Sequence, residues 1–237
     1  MKLAVREWGE AGDVPIVFWH ALGANPSGAD LSDIAPVLVG AGFHVLAVDG
    51  PGFGRSPLQP AESYRLETLV GALRELVDVH ALDRPVVLGH SWGGAIAVCY
   101  AGAFPDDVRA IVLLDSGHID YARLPDVDVD RTPEMWVEEA RARSPERAEA
   151  RGRAMGGLTE PISPFWPVLA ANEIPTLLLL ATEPPHGAQN RAHIGRFEAA
   201  VPHADVRWVD GAGHGILADV GPPLGDEIAD WLVARGL

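Results

Sequence analysis

One serine of the sequence has the surroundings of a nucleophile. Ser91 is the middle residue of Gly89-His90-Ser91-Trp92-Gly93, which follows the apolar run Val86 to Leu88 and precedes a helix-compatible run that begins at Ala95. A serine at a sharp turn between a strand and a helix is held exposed above the sheet, and the flanking glycines let the backbone pass closely. The N-terminus of the following helix favours developing negative charge. The pattern therefore predicts acyl transfer with Ser91 as the attacking residue.

The elements that must position this serine are indicated by short apolar runs, which are typical of strands buried on both faces. These runs lie at Ile16 to Leu22, His44 to Val48, Val86 to Gly89, Ile111 to Asp115, Thr176 to Ala181 and Val206 to Val209. Segments with helical spacing lie between them, such as the apolar stripe over 66–77. This alternation predicts an α/β fold with a mostly parallel sheet and helices on both faces. Functional residues should then directly follow the apolar runs, because ligands gather at the carboxyl ends of parallel strands.

One segment departs from the alternation. From about His118 to Asn172 there is no strand-like run, and helical patterns at Glu134 to Arg143 and Pro145 to Met155 precede three prolines. Because long excursions from compact domains are usually functional, we predict a small helical lid over 118–172, inserted into a core formed by 1–117 and 173–237. A solvated surface excursion is the alternative. Three aromatic residues of the segment could line an apolar acyl pocket or form the core of the lid: Trp136, Phe165 and Trp166.

Composition and charge exclude several classes of partner. The 237 residues include 18 basic and 33 acidic side chains, and the formal net charge of −15 repels nucleic-acid phosphates and anionic lipid surfaces. The single cysteine, Cys99, is expected to be a buried, inert thiol, and no zinc-binding spacing occurs. Charges at Arg6 and Glu7 do not fit a signal peptide, and no apolar run is long enough for a transmembrane helix. We expect a cytoplasmic protein with no metal, organic cofactor, nucleic-acid partner or membrane insertion.

The sequence resembles the α/β-hydrolase superfamily, in its serine-nucleophile, esterase- and lipase-like branch, over nearly its whole length. The resemblance depends on four motifs in the order of the family: His20-Ala21-Leu22-Gly23, Asp49-Gly50-Pro51-Gly52-Phe53-Gly54-Arg55-Ser56, the pentapeptide around Ser91, and Gly211-Ala212-Gly213-His214. It implies that His214 is the general base, which suits the chemistry because a serine hydroxyl is a weak nucleophile until an imidazole accepts its proton.

The resemblance also implies an oxyanion hole formed by the backbone N–H groups of Leu22 and Trp92. In the family the residue after the histidine of the first motif is usually glycine, whereas this chain has Ala21 after His20. If this position requires a positive φ, the alanine carries a small strain. The resemblance further implies that His20 organises the oxyanion loop and that Asp49 supports the site without reacting.

The acid that should orient His214 is where the sequence departs from its relatives. Most relatives have an aspartate at the position that Pro184 occupies here. Two carboxylates could replace it: Glu183, one residue earlier, or Asp115 at the end of the preceding strand, from which some relatives take their acid. We favour Asp115, because two adjacent prolines limit how Glu183 can be directed.

These residues imply a serine hydrolase that cleaves a carboxylic ester or related small acyl compound through an acyl-enzyme intermediate. Ser91 argues against haloalkane dehalogenase and epoxide hydrolase chemistry, because those relatives have an aspartate at this position. Thioester, amide and carbon-carbon bond hydrolysis and perhydrolase activity are the alternatives among enzymes. The alternative to an enzyme is a ligand receptor on the same fold, which is favoured only by the missing aspartate at position 184.

Overall fold

The structure is a computed structural model that describes residues 1–23, 27–124, 133–143 and 145–237. Its described residues form a seven-stranded sheet in the order β1-β3-β2-β4-β5-β6-β7. β1 pairs with β3 in antiparallel orientation, and the other neighbours are parallel. The strands are β1 Ala4–Trp8, β2 Val14–Trp19, β3 Phe43–Asp49, β4 Val86–His90, β5 Ala110–Leu114, β6 Thr176–Ala181 and β7 Asp205–Val209.

Helices cover both faces of the sheet. The helices are α1 Ala35–Gly40, α2 Leu66–Val79, α3 Trp92–Ala103, α4 Pro133–Arg143, α5 Ala148–Gly157, α6 Trp166–Ala171, α7 His186–Ala200, α8 Ile216–Val220 and α9 Pro222–Val233. The predicted α/β fold with a mostly parallel sheet is confirmed. The apolar stripe of α2 is buried along its length, as its spacing predicts.

The side chains of the central strands alternate between two apolar cores. In β2, Val17 and Trp19 face the core that contains α2, α3 and α6, whereas Ile16 and Phe18 face the core that contains α1, α8 and α9. This alternation follows from the two-residue period of a strand, and it leaves both faces of β2 fully buried. The sheet is therefore a rigid layer whose strand ends have fixed positions.

β1 is the strand that the sequence did not predict. It is only partly buried, and Arg6 and Glu7 interrupt its apolar residues, so it lacks a continuous apolar run. The run at Val206 to Val209 does form a strand, but β7 is the other edge strand and is partly exposed, so the expected burial on both faces is wrong for it. The first predicted run also extends too far, because β2 ends at Trp19 and Leu22 lies in the loop that follows.

The chain between β5 and β6 contains the helices α4, α5 and α6. Three arginines join α5 and the residue before it to loops of the sheet. Arg147 donates a hydrogen bond to the carbonyl of Gly52, Arg151 to that of Gly23, and Arg153 to that of Gln59. Within the parts of the chain that the structure describes, every helix is too short or too polar to cross a membrane.

Candidate active site

Ser91 lies in the turn between β4 and α3. Its φ of 53° and ψ of −111° are strained for a residue with a side chain, and such strain is common at functional sites. The turn is tight enough to require glycine on both sides. A Cβ on Gly89 would lie 2.2 Å from the carbonyl oxygen of Gly93, and a Cβ on Gly93 would lie 2.0 Å from that of Trp19. The two glycines of the pentapeptide thus let α3 pack closely against the sheet.

His214 follows β7 and precedes α8, and its ring lies between the serine and an aspartate. In the tautomer with its proton on Nδ1, His214 accepts a hydrogen bond from Ser91 Oγ at Nε2 over 2.8 Å. Its Nδ1–H donates to Asp115 Oδ2 over 2.6 Å. The backbone is also held, because His90 Nε2–H donates to the carbonyl oxygen of His214 over 2.7 Å. This order of donors and acceptors is the one that general-base activation of a serine requires.

Asp115 directly follows β5 and has a φ of 47°. Its side chain is fully buried. Burial alone raises the pKa of a carboxyl group, but hydrogen bonds from His214, the N–H of Ala181 and Asn190 outweigh it and hold the pKa of Asp115 below its ordinary value. Asp115 is therefore ionised near neutral pH, as a partner for an imidazolium must be.

Glu183, the alternative acid, does not lie against His214. Its side chain is exposed, and its backbone N–H donates to the carbonyl of Ala212 over 3.0 Å. The Nδ1 of His214 is already bonded to Asp115. Of the two carboxylates that the sequence left open, the structure brings only Asp115 to the base.

Leu22 and Trp92 border the same cavity as Ser91. Trp92 is the first residue of α3, where a backbone N–H has no acceptor within the helix. The loop that carries Leu22 is fixed by His20, whose Nδ1–H donates to the carbonyl of Ala21 over 2.7 Å and whose Nε2 accepts from the N–H of Gly50 over 2.9 Å. Ala21 does not have a positive φ, so the strain considered for it from the sequence is absent.

Asp49 lies away from the cavity and supports loops. Its buried carboxylate accepts hydrogen bonds from the backbone N–H groups of Gly28 and Arg55, over 2.7 and 2.9 Å. Cys99 is buried in α3, and burial raises the pKa of its thiol to about 12. Both residues have the structural surroundings that the sequence predicted for them.

The cavity above Ser91 has a volume of about 720 Å³. Apolar side chains dominate one part of its wall, contributed largely by the segment between β5 and β6: Ala95, Ile119, Met155, Leu158 and Ile162. Phe165 and Trp166 do not belong to this wall. Trp166 packs edge-on against Phe197 in the core, and Phe165 packs against Gly102 of α3. The pocket role considered for these two residues is corrected to a core role, and the side chain of Trp136 lies outside the described part of the structure.

Two residues of α7 that contact the candidate site were not predicted from the sequence. His186 stacks on His214 with ring centroids 4.1 Å apart and an angle of 8° between the rings. Asn190, one turn later in α7, donates to Asp115 Oδ1 over 2.5 Å. Their spacing of four residues, directly after the loop at the end of β6, is the signal that could have indicated a pair facing the site.

Two histidines near Ser91 are buried and neutral. Burial lowers the pKa of His20 to about 4, and burial followed by repulsion from His214 lowers that of His90 to about 4. Both rings therefore act as fixed hydrogen-bonding groups. Among the residues that the structure describes, no group of three or more His, Cys, Asp or Glu side chains is placed to hold a metal ion.

Comparison with known proteins agrees with this architecture. Lipase 1 of Psychrobacter immobilis is 34% identical over 125 residues, covering 52% of this chain and 38% of the lipase. The 2-hydroxy-6-oxononadienedioate/2-hydroxy-6-oxononatrienedioate hydrolase 1 of Pseudomonas putida is 34% identical over 118 residues, covering 49% of this chain and 41% of that protein. The matched regions thus span less than half the length of either relative.

A solved carboxylesterase structure from Nitrososphaera gargenis has a TM-score of 0.80 over 98% of this chain and 94% of that one, at 18% identity. Likeness at this identity shows the fold alone. The model of the alpha/beta hydrolase fold family matches residues 14–159, which is more than half of the sequence. The chain therefore belongs to the alpha/beta hydrolase fold family.

Proposed function

We propose that this protein is a serine hydrolase that cleaves a carboxylic ester or related small acyl compound through an acyl-enzyme intermediate. One observation carries the proposal: Ser91 Oγ donates to His214 Nε2 over 2.8 Å while His214 Nδ1–H donates to Asp115 over 2.6 Å. A hydroxyl that can pass its proton to an oriented imidazole is an activated nucleophile.

The proposed reaction has two steps. Ser91 Oγ attacks the substrate carbonyl while its proton moves to His214 Nε2, and the resulting oxyanion accepts hydrogen bonds from the N–H groups of Leu22 and Trp92. Asp115 stabilises the imidazolium formed in this step. His214 then protonates the leaving group, which departs and leaves the acyl group on Ser91. Water then attacks this ester while one of its protons moves to His214 Nε2, and the bond to Ser91 Oγ breaks as His214 returns that proton to the serine and the acid is released.

We further propose that residues 118–172 form a lid over the core of 1–117 and 173–237, and that this lid shapes the acyl pocket. The cavity wall supports this, since Met155, Leu158 and Ile162 from the segment line it together with Leu22. An apolar wall of this kind suits an uncharged acyl group. A cytoplasmic location stays a prediction.

Four other reactions would use the same nucleophile and are the alternatives to ester hydrolysis: hydrolysis of a thioester, an amide or a carbon-carbon bond, and perhydrolysis. A non-catalytic receptor was favoured only by Pro184 in the usual place of the acid. The hydrogen bond between Asp115 and His214 supplies a carboxylate from another strand, and it thereby supports an enzyme over a receptor.

A panel of p-nitrophenyl esters with increasing acyl length tests the proposal. We expect turnover of the wild-type protein with an early burst of nitrophenol, and folded Ser91→Ala to lose nearly all of it. His214→Ala should lose a comparable amount, since the two residues act as a unit. Ester turnover that persists in pure Ser91→Ala would contradict the assignment.

A further inference from the structure

The Asp115 carboxylate has one oxygen turned toward His214 and one turned away. Oδ2 accepts from His214 Nδ1–H over 2.6 Å. Oδ1 accepts two hydrogen bonds, one from the backbone N–H of Ala181 over 2.9 Å and one from Asn190 Nδ2 over 2.5 Å. Because the side chain is fully buried, these protein donors replace the hydrogen bonds that water would donate to an exposed carboxylate. The orientation of Asp115 is thus set from the side opposite to the base.

The Asn190 amide is itself fixed. Its Nδ2 has two hydrogens, and the second donates to the carbonyl of Ala181 over 3.0 Å. Its Oδ1 accepts from His118 Nε2–H over 3.1 Å. The amide cannot be turned over without placing its oxygen against Asp115 Oδ1 and its NH2 group against the donor of His118. Asp115 Oδ1 and the carbonyl of Ala181 therefore determine which end of Asn190 faces the acid, and His118 holds the opposite end of the amide in that orientation.

His118 and Asn190, which lie behind Asp115 as seen from His214, are both buried, with an exposed fraction of 1% each. His118 lies three residues after Asp115, whereas Asn190 comes from α7, which follows the neighbouring strand β6. Burial lowers the pKa of His118, so its ring is neutral near pH 7. Water cannot replace a lost bond at this depth, so removing the donor of His118 or of Asn190 leaves the oxygen that accepts from it unsatisfied.

We propose that Asn190, oriented by His118, is a positioning residue that fixes the Asp115 carboxylate toward His214. This inference rests on the proposed function, because it assigns Asn190 to the acid of that same site. Asn190 touches neither Ser91 nor the substrate in this scheme. Asn190 acts through Asp115. It affects how the ring of His214 is oriented and how much negative charge the Asp115 carboxylate presents to that ring.

The charged and titratable groups around His214 determine the pH at which kcat/KM rises. His214 faces Asp115 on one side, His186 of α7 is stacked on its ring, and His90 of β4 lies 5.2 Å away between ring centroids. Burial lowers the pKa of both His90 and His186. Arg151 and Glu160 also line the cavity, but of the groups in direct contact with His214 that the structure describes, Asp115 is the charged one near neutral pH, and changes to its hydrogen bonds act directly on the base.

Asn190→Leu tests the proposal, because leucine fills a similar volume but donates nothing. With one donor lost, the negative charge of Asp115 is less neutralised and favours the protonated imidazole more strongly. We therefore expect the acid limb of kcat/KM to move to higher pH by about half a unit or more. We also expect kcat to fall by about tenfold or more with KM nearly unchanged, because the imidazole's direction matters most in the transition state.

The matched control is Asn172→Leu, which makes the same change at an exposed position after α6. It should leave kcat, KM and the pH profile unchanged. A folded Asn190→Leu protein with wild-type kcat and an unshifted acid limb would overturn the proposal. A lower kcat with an unshifted limb would also overturn it, because that result describes general loosening of the structure.

If Asn190→Leu fails to fold, two substitutions of His118 test the proposal instead. His118→Gln keeps an N–H that can donate to Asn190 Oδ1 and should remain near wild type, whereas His118→Leu should show the same upward shift of the acid limb. Equal profiles for the two variants would overturn the proposal. Failure of the proposed function looks different, since the wild-type protein itself would then neither hydrolyse esters nor react with a fluorophosphonate.

Discussion

Asp115 and Ser91 both have a positive φ at the ends of neighbouring strands. Their φ values are 47° and 53°, in the left-handed region that residues with a side chain seldom adopt. In both cases the strand has just ended, and the left-handed turn directs the side chain toward the site instead of into the sheet. An aspartate tolerates this conformation better than most residues, which suits the carboxylate at position 115.

The acid is tested by a pair of substitutions. Asp115→Asn removes the charge that stabilises the imidazolium and the acceptor that sets the tautomer of His214, so kcat should fall by about a thousandfold or more. Glu183→Gln makes the same chemical change at an exposed carboxylate and should alter kcat by less than about tenfold. Steady-state kinetics on an activated ester measures both. The reverse ranking would show that Glu183 orients the base.

At the scale of elements, close packing of α3 against β2 positions the two candidate oxyanion donors. Trp92 begins α3, and Leu22 lies in the loop that follows β2. Gly93 is the point of contact, because a Cβ there would lie 2.0 Å from the carbonyl oxygen of Trp19. The distance between the two candidate oxyanion donors thus depends on glycine at position 93, because any larger side chain would collide with β2.

Two helical glycines provide a matched test of this packing. Gly93→Ala should force α3 away from β2, lower the free energy of unfolding by about 1–3 kcal/mol and reduce kcat. Gly71 is exposed on α2 and has open space where a Cβ would lie, so Gly71→Ala should raise stability by about 0.4–1 kcal/mol with kcat unchanged. Urea unfolding and ester kinetics provide both readouts. Equal effects of the two substitutions would contradict the packing argument.

The sequence predicts the elements that are buried on both faces, because continuous apolar runs leave few alternatives to a parallel strand. It did not predict β1, because Arg6 and Glu7 interrupt the apolar residues of Ala4–Trp8. Asn190 was missed for a related reason, since a polar residue on a helix usually faces water. Whether Trp166 lines a pocket or fills a core depends on its contact with Phe197, which is 31 positions away in the chain and leaves no local signal.

For the whole molecule, buried neutral histidines link stability to pH. Burial lowers the pKa of His20 and of His90 to about 4 from an ordinary value of 6.5. As pH falls below 6.5 the unfolded chain takes up protons first, so stability is fully present above that value and is lost progressively toward pH 4. The loss amounts to up to about 3 kcal/mol for each histidine. Asp115, whose pKa lies below its ordinary value, adds a loss only at lower pH.

Urea unfolding at pH 7 and pH 4.5 measures this linkage. We expect a clear drop in the free energy of unfolding at the lower pH, and a drop smaller by about 2–3 kcal/mol in His20→Asn, which lacks one of the buried rings whose pKa is lowered by folding. His80→Asn, at an exposed histidine, should show the wild-type difference. If His20→Asn kept the full wild-type difference, burial of this ring would not be a source of the acid sensitivity.

The proposed hydrolase activity depends on a single activated hydroxyl, and labelling by a fluorophosphonate probe measures its reactivity most directly. Such a reagent requires a nucleophilic serine, and the cavity wall offers a second serine for comparison, Ser116, whose hydroxyl donates to the carbonyl of Gly89. Intact-mass and peptide analysis of the treated wild-type protein should find one adduct, on Ser91. The adduct should persist in Ser116→Ala and be absent in Ser91→Ala. A wild-type protein that stays unlabelled, or an adduct that survives in Ser91→Ala, would contradict the account.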